Sequence, residues 1–145
     1  MIRRFAFDDL DRILEIERRA FPKSPYDTAT FLNLYWLYPE TFWVYVHKNH
    51  GWGKGRIFGY LVFSQDGHII SIAVDPEWRR KGIGKLLLDR AMNHPRIRKV
   101  RAEVRMSNKG AQAFYERLGF RITGVIPNYY GDEDALVVEK IAEGK

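Results

Sequence analysis

One stretch constrains this chain more than any other: a short apolar run, a proline turn, a basic glycine-bearing loop and a helical repeat, in that order from His68 to Met92. Ile69 to Val74 (Ile-Ile-Ser-Ile-Ala-Val) is continuous in apolar and small residues and rich in β-branched side chains, which predicts a strand buried on both faces. Asp75-Pro76 ends it. The loop Arg79-Arg80-Lys81-Gly82-Ile83-Gly84 then leads into Lys85 to Met92, where Ile83, Leu87 and Ala91 recur at helical spacing. A strand, such a loop and a helix N-terminus make an anion site. Glycines let backbone N–H groups approach phosphate oxygens, the helix dipole adds partial positive charge, and Arg79, Arg80, Lys81 and Lys85 add whole charges. Two better-known phosphate motifs are excluded. Leu87 stands where the dinucleotide fingerprint needs its third glycine. A Walker loop fails because Leu86 follows Lys85 and Arg79 occupies the place of its first glycine.

The rest of the chain reads as support for that stretch. Ile2 to Phe5 predicts a first strand. Asp8 or Asp9 caps an amphipathic helix with Leu10, Ile13, Leu14 and Phe21 on one face, ended by Phe21-Pro22. Glu17 falls on that face, either at the rim of a cleft or, the reading favoured here, merely at the edge of the stripe. Ser24 as cap and Pro25 in the first turn start a second helix through Phe31, Leu34, Tyr35 and Tyr38, which stops at Pro39. Thr41 to His47 and Arg56 to Ser64 are strands, separated by a glycine-rich loop over residues 48–55. Asp66-Gly67 is a hairpin turn into His68. After the helix that ends at His94-Pro95, Lys99 to Arg105 alternates Val100, Ala102 and Val104 with Arg101, Glu103 and Arg105, so Glu103 faces away from the apolar side. Asn108 caps a helix carrying Ala111, Phe114, Tyr115 and Leu118, which Gly119 closes. Phe120 to Val125 and Ala135 to Ile141 form a closing strand pair, joined by the loop with Tyr129 and Tyr130. There is no repeat and no low-complexity segment, and Glu143-Gly144-Lys145 reads as a frayed end.

The totals bound what such a chain does. Its 145 residues are expected to form a single domain, 1–145, burying about two thirds of the unfolded surface. Without cysteine it has no disulfide framework and no thiolate nucleophile or metal site, which agrees with a reducing compartment; no metal is expected. No run approaches the roughly 20 apolar residues of a membrane span, and the start leads into a charged helix rather than a signal-peptide core. A cytoplasmic protein without membrane association is the expectation. The net charge of +6 raises nucleic acid as a partner. Yet Lys and Arg are spread over the chain among 18 acidic residues, as on a solvated basic surface, and no recognition motif is present.

Four stretches together carry a resemblance: Arg79-x-x-Gly82-x-Gly84 after Ser71-Ile72-Ala73-Val74; Ala102-Glu103-Val104-Arg105-Met106-Ser107-Asn108; Ala113-Phe114-Tyr115-Glu116-Arg117-Leu118-Gly119-Phe120; and Asn128-Tyr129-Tyr130 before Glu133-Asp134-Ala135. In this order, over nearly the whole chain, they resemble the GNAT N-acetyltransferase superfamily, most of all its ribosomal-protein-alanine and archaeal N-alpha-acetyltransferase branch. The resemblance implies an α/β (α+β) fold. Its centre is a mixed, mostly antiparallel sheet of about seven strands, with about four flanking helices and a splayed central strand pair.

It also implies a chemistry: an acetyl group passing from acetyl-CoA to an amine by direct attack in a ternary complex. The loop from Arg79 to Lys85, with its amides from Arg80 onward (Lys81, Gly82, Ile83 and Gly84 among them), would hold the pyrophosphate. The backbone of Ile72, Ala73 and Val74 would pair with pantetheine and polarise the thioester carbonyl. Glu103 is the first candidate for the base, acting through water because a carboxylate of ordinary pKa, about 4.3, is a poor base for an ammonium. The competing reading is a surface glutamate between Arg101 and Arg105. His68, whose imidazole titrates near neutrality, is a second base candidate, or a turn histidine without a role. Tyr115 would face the thioester sulfur as the acid, against the reading as a core aromatic beside Phe114. Asn108 would contact pantetheine, although capping explains it equally well. Tyr26, Tyr129 and Tyr130 would hold the acceptor peptide, or are core and surface aromatics.

An α-amine, with pKa about 7.7 to 8.0, is easier to deprotonate than a lysine near 10.4, which favours a protein N-terminus over other primary amines. The sequence departs from the branch in its short acidic loop, Gly131-Asp132-Glu133-Asp134, and in Ser24-Pro25 where relatives often carry Pro-Trp, so no residue preference is carried over. A small-amine or polyamine acetyltransferase and a non-catalytic acyl-CoA-binding module are the rivals, and either a monomer or a homodimer fits.

Overall fold

The computed structural model describes residues 1–48, 53 and 55–142. Most of the predicted glycine-rich loop, and the end at 143–145, lie outside the described residues. Contacts gather the chain into two compact units, Met1–Ser64 with Ile70–Ala91, and Gln65–Ile69 with Met92–Lys145. The strands form two antiparallel sheets.

The first unit holds β1 (Ile2–Arg4), α1 (Leu10–Ala20), α2 (Thr28–Leu37), β2 (Phe42–His47), β3 (Arg56–Phe63), β4 (Ile69–Val74) and most of α3 (Ile83–Met92). Its sheet runs β1-β2-β3-β4. In β2, Phe42, Val44 and Val46 are buried and alternate with half-exposed Trp43, Tyr45 and His47, as period two demands. Every residue of β3 from Ile57 to Phe63 is buried, because helices and neighbouring strands leave it no solvent face. β4 ends this sheet, and only Ile69 and Ala73 in it are fully buried. The expectation of burial on both faces is therefore corrected: Ile70, Ser71, Ile72 and Val74 are only partly covered, and as the last strand of its sheet β4 also keeps one side of its backbone unpaired within that sheet. Leu10, Ile13, Leu14 and Ile16 give α1 its apolar face. They pack with Phe5, Phe31, Phe42, Val44 and Tyr60 into one cluster, in which Phe5 stacks on Phe42 at 4.2 Å and Phe31 meets Tyr60 edge-on at 5.6 Å.

Two caps differ from expectation. Asp9 precedes α1, but its carboxylate turns back to accept from the Ala6 N–H (2.8 Å) and the Arg3 guanidinium (2.8 and 3.0 Å). Asp27, rather than Ser24, caps α2, accepting from the Thr30 N–H at 2.9 Å and the Thr30 hydroxyl at 2.8 Å. The helix starts three residues beyond Pro25 because Asp27 is an extended residue whose carboxylate reaches the N3 amide.

The second unit contains β5 (Lys99–Arg105), α4 (Lys109–Arg117), β6 (Arg121–Ile126) and β7 (Ala135–Ile141), with sheet order β5-β7-β6. Val100, Ala102 and Val104 are buried as the alternation predicts. Gly67 joins the segment before β4 to this unit. Its φ is +97°, and a Cβ there would stand 1.9 Å from the Lys99 carbonyl oxygen, so only glycine fits on both counts. The Arg101 N–H donates to the Gly67 carbonyl at 2.9 Å, and His68 forms a single parallel bridge with Arg101.

Candidate active site

The phosphate-type loop is built from backbone angles. Arg80 (φ +64°) and Gly82 (φ +82°) are both left-handed, and the Gly82 carbonyl accepts from the Leu86 N–H at 2.9 Å, so α3 starts directly from the loop. The first-turn amides of α3 have no acceptor inside the helix and carry its positive dipole end. Left-handed geometry at a non-glycine residue costs about 1–2 kcal/mol, and here it belongs to the loop expected to receive an anion. Of the side chains, Lys85 pairs with Asp89 at 2.6 Å, Lys81 lies 5.7 Å over the Trp78 ring, and Arg79 Nε reaches the Val74 carbonyl at 3.4 Å. Left-handed loop residues, a helix N-terminus and four cations suit a pyrophosphate.

Asp75 fixes the start of this loop. It is buried, with 3% of its surface exposed. It accepts from Arg12 at 2.6 Å, Arg19 at 3.0 Å and the Glu77 N–H at 3.0 Å, while its own N–H donates to the Phe58 carbonyl. Burial pushes the Asp75 carboxyl upward, but the Arg12 hydrogen bond, the Glu77 amide and the two guanidinium charges outweigh it and hold the carboxyl below its usual range. Trp78, one turn on, stacks on Phe58 at 3.7 Å.

In the second unit the two base candidates are one pair. The bridge sets His68 opposite Arg101, and Glu103 lies on the same face of β5 two residues further, so the imidazole reaches the carboxylate: His68 Nε2 is 2.8 and 3.0 Å from the two Glu103 oxygens. The Tyr129 hydroxyl donates to Glu103 Oε1 at 3.2 Å. Burial, with Glu103 adding its negative charge and accepting that bond, pushes the Tyr129 phenol up. The competing reading of Glu103, a surface glutamate between Arg101 and Arg105, meets a side chain only 14% exposed that hydrogen-bonds His68 and Tyr129.

Tyr115 lies on α4 with 5% of its surface exposed, edge-on to Phe114 (5.2 Å) and Phe120 (5.0 Å). Burial raises its phenol well above the usual value, and Tyr130 and Glu103 add to this. Asn108 caps α4 through Oδ1, which accepts the Ala111 N–H at 3.0 Å.

The tyrosine loop is held from β5. Arg105 donates to Asp132 (2.8 Å) and Glu133 (2.9 Å), and its guanidinium lies 4.2 Å over the Tyr130 ring. Glu133 also accepts from the N–H and hydroxyl of Ser107, and Asp134 accepts from the Asn128 N–H at 2.8 Å. The acidic loop that departs from the branch therefore fastens its own backbone.

Two polar groups with long-range partners are not legible in the sequence. Arg105 looked like one more solvent-side charge of an alternating strand. Glu17 is neither at a rim nor at the edge of a stripe. It is buried, 2% exposed, and accepts from the Tyr26 N–H at 2.9 Å and from the Tyr60 hydroxyl. The signals were a carboxylate in register with Leu10, Ile13 and Leu14, and a lone phenol inside the apolar strand Ile57–Phe63.

These features meet a matching ancestry. The family model of the acetyltransferase (GNAT) family matches residues 10–120. The chain belongs to that family. An uncharacterized N-acetyltransferase of Methanocaldococcus jannaschii is 41% identical over 148 residues, spanning 97% of this chain and 90% of that protein. An N-alpha-acetyltransferase of Saccharolobus solfataricus is 33% identical, spanning 96% and 91%. Among solved structures, Ard1 from Thermoplasma volcanium superposes with a TM-score of 0.84 at 32% identity, covering 98% of this chain and 97% of that one. As a GNAT N-acetyltransferase this chain is an acyltransferase, with the seven strands and four helices expected of it among the described residues. No helix among those residues is long and apolar enough to cross a membrane, and they hold no group of side chains suited to a metal ion.

Proposed function

We propose that this GNAT protein acetylates the N-terminal α-amine of protein substrates, using acetyl-CoA, by direct attack in a ternary complex. The observation that carries the reading is the His68–Glu103–Tyr129 cluster: it joins a base to a loop of paired tyrosines, whose rings meet edge-on at 4.9 Å. Relatives named N-alpha-acetyltransferase support the acceptor class. Bound acetyl-CoA supplies the acetyl thioester. The loop amides from Arg80 to Lys85, with the side chains of Arg79, Arg80, Lys81 and Lys85, bind its pyrophosphate. Ile72, Ala73 and Val74, at the edge of their sheet, offer backbone groups to the pantetheine arm, and the Asn108 side-chain amide offers a further donor. Tyr26, Tyr129 and Tyr130 hold the acceptor.

Glu103, polarised by His68, takes a proton from the α-ammonium through water. The freed amine forms the new C–N bond as the C–S bond breaks, and the second proton of the attacking nitrogen passes to the departing thiolate, giving the amide and the free thiol. Tyr115 donates a hydrogen bond to the departing sulfur and keeps its proton, since a phenol raised above about 10 does not protonate a thiolate of pKa about 8.5 downhill. The 145 residues act as a single domain, which is supported by relatives that match over almost their whole length. A cytoplasmic location is part of the same proposal.

The test is thiol release from acetyl-CoA with a panel of N-terminal peptides, lysine peptides and polyamines. Release with N-terminal peptides supports the reading, and release with polyamines alone sinks it. Tight CoA binding without turnover of any amine supports the binding-module rival. Glu103→Gln and His68→Ala should each lower kcat more than either KM.

A further inference from the structure

We propose that Glu17 is a positioning residue of the acceptor site, pinning the connection between α1 and α2 and tying it through Tyr60 to β4. This rests on the reading of that connection, which carries Tyr26, as part of the acceptor wall. Residues 21–27 form no helix or strand, so their path depends on a few bonds. Glu17 supplies two of them. Its carbonyl accepts from the Phe21 N–H at 2.8 Å where the connection starts, and its Oε2 accepts from the Tyr26 N–H at 2.9 Å near the end. Oε1 accepts from the Tyr60 hydroxyl on β3, and that oxygen lies 2.8 Å from Ser71 Oγ on β4. Ser71 immediately precedes Ile72–Val74, the residues assigned to pantetheine. The chain Tyr26–Glu17–Tyr60–Ser71 thus sets the acceptor connection against the cofactor strand.

A buried carboxylate is a costly way to fill space. An apolar side chain of similar volume often holds a core equally well or better, whereas a carboxylate fixes donors in one geometry. Burial pushes the Glu17 carboxyl up even though Tyr26 and Tyr60 both hydrogen-bond to it, so the site bears a real desolvation cost. None of the steps proposed for acetyl transfer uses the Glu17 carboxyl group, which leaves geometry as its use.

The prediction separates acceptor binding from chemistry. With the primary amine that the wild type acetylates as varied substrate, Glu17→Leu should raise the acceptor KM about tenfold, the size expected from losing a hydrogen bond to a charged group. Its kcat and acetyl-CoA KM should stay within about threefold on the same reasoning. Glu17→Gln keeps an oxygen for the Tyr26 N–H and should recover most of the loss. Ile16→Val, a mild cavity in the same helical turn, is the control and should leave the acceptor KM unchanged. Amide hydrogen exchange gives a readout independent of turnover: the Tyr26 amide should exchange at least about tenfold faster in Glu17→Leu, with α3 amides unaffected.

An acceptor KM within twofold of wild type, an equal rise in Ile16→Val, or an unchanged Tyr26 amide overturns the proposal. Should Glu17→Leu not fold, Tyr60→Phe removes the hydroxyl and keeps the ring, and it must raise the acceptor KM or the link to β4 is wrong. A wild type that acetylates no primary amine counts against the proposed function, and the Tyr26 amide then decides the pin alone.

Discussion

Replacing Asp75 by asparagine tests whether the loop is anchored as the structure indicates. The change keeps the shape and the contact with the Glu77 N–H but removes the negative charge that Arg12 and Arg19 share. Removing one partner of a buried ion pair costs about 3–5 kcal/mol. Arg19 is 37% exposed and Arg12 still donates to the Ile57 carbonyl and Glu15, so the expected loss is lower, about 2–3 kcal/mol after solvent screening. For a chain of this size that is a fall of about 5–10 °C in Tm. The pH dependence has a definite sign. The folded Asp75 carboxyl titrates below its unfolded value, so its stabilisation is complete above about pH 4 and disappears as pH falls through the folded value. Thermal melts of both proteins from pH 7 to pH 3 should therefore show a gap that is widest at neutral pH and closes in acid. The acetyl-CoA KM should rise with the loss of the anchor. A Tm difference below 2 °C at pH 7, or a gap that does not narrow in acid, refutes the reasoning.

Gly67→Ala adds a Cβ where the Lys99 carbonyl stands and demands a left-handed alanine; the two costs together predict a loss of about 3 kcal/mol in a denaturant melt and a fall in kcat as His68 leaves Glu103. Arg105→Met should raise the acceptor KM about tenfold without changing the acetyl-CoA KM, and Arg105→Lys should not rescue it, since a guanidinium that bridges two carboxylates and lies over an aromatic ring has no ammonium equivalent. Tyr115→Phe should lower kcat by about 10- to 100-fold with both KM values nearly constant. Because burial holds the Tyr115 phenol in its protonated form, the wild-type kcat profile should show no alkaline limb from it below pH 10, and such a limb removed by the substitution would count against the assignment.

Residues whose partners are near in sequence, or whose spacing is periodic, were legible before the structure. The strand Lys99–Arg105 follows from its alternation, the α4 cap from Asn108, and the phosphate-type loop from its glycines and charges. What escaped depends on contacts far along the chain. Glu17 meets Tyr60, 43 residues on, and only that meeting explains why a carboxylate tolerates full burial. Arg105 meets Asp132 and Glu133 across 27 and 28 residues, and no periodicity predicts it. Local chemistry alone starts the second helix too early, because Ser24-Pro25 and Asp27 both satisfy it as starts. The choice between them rests on the path of residues 21–27, which a carboxylate in the preceding helix holds. Local rules place the elements; the long-range polar contacts place the connections between them.

The same distinction changes the question about the base. From sequence, Glu103 and His68 are competing candidates, because nothing local relates residue 68 to residue 103. The structure makes them one hydrogen-bonded unit, with the Tyr129 hydroxyl on the same carboxylate oxygen that His68 approaches at 2.8 Å. Substituting one leaves the other without the partner that orients it, so single substitutions overstate what each contributes and their effects do not add. The cluster also explains why a carboxylate is usable for this chemistry. In the proposed mechanism Glu103 would accept and relay the proton, with His68 hydrogen-bonded to it, and Tyr129 ties the pair to the loop proposed to hold the acceptor. On that proposal, proton transfer and acceptor binding would depend on one set of contacts, so an acceptor that fails to settle the tyrosine loop would also fail to complete the base.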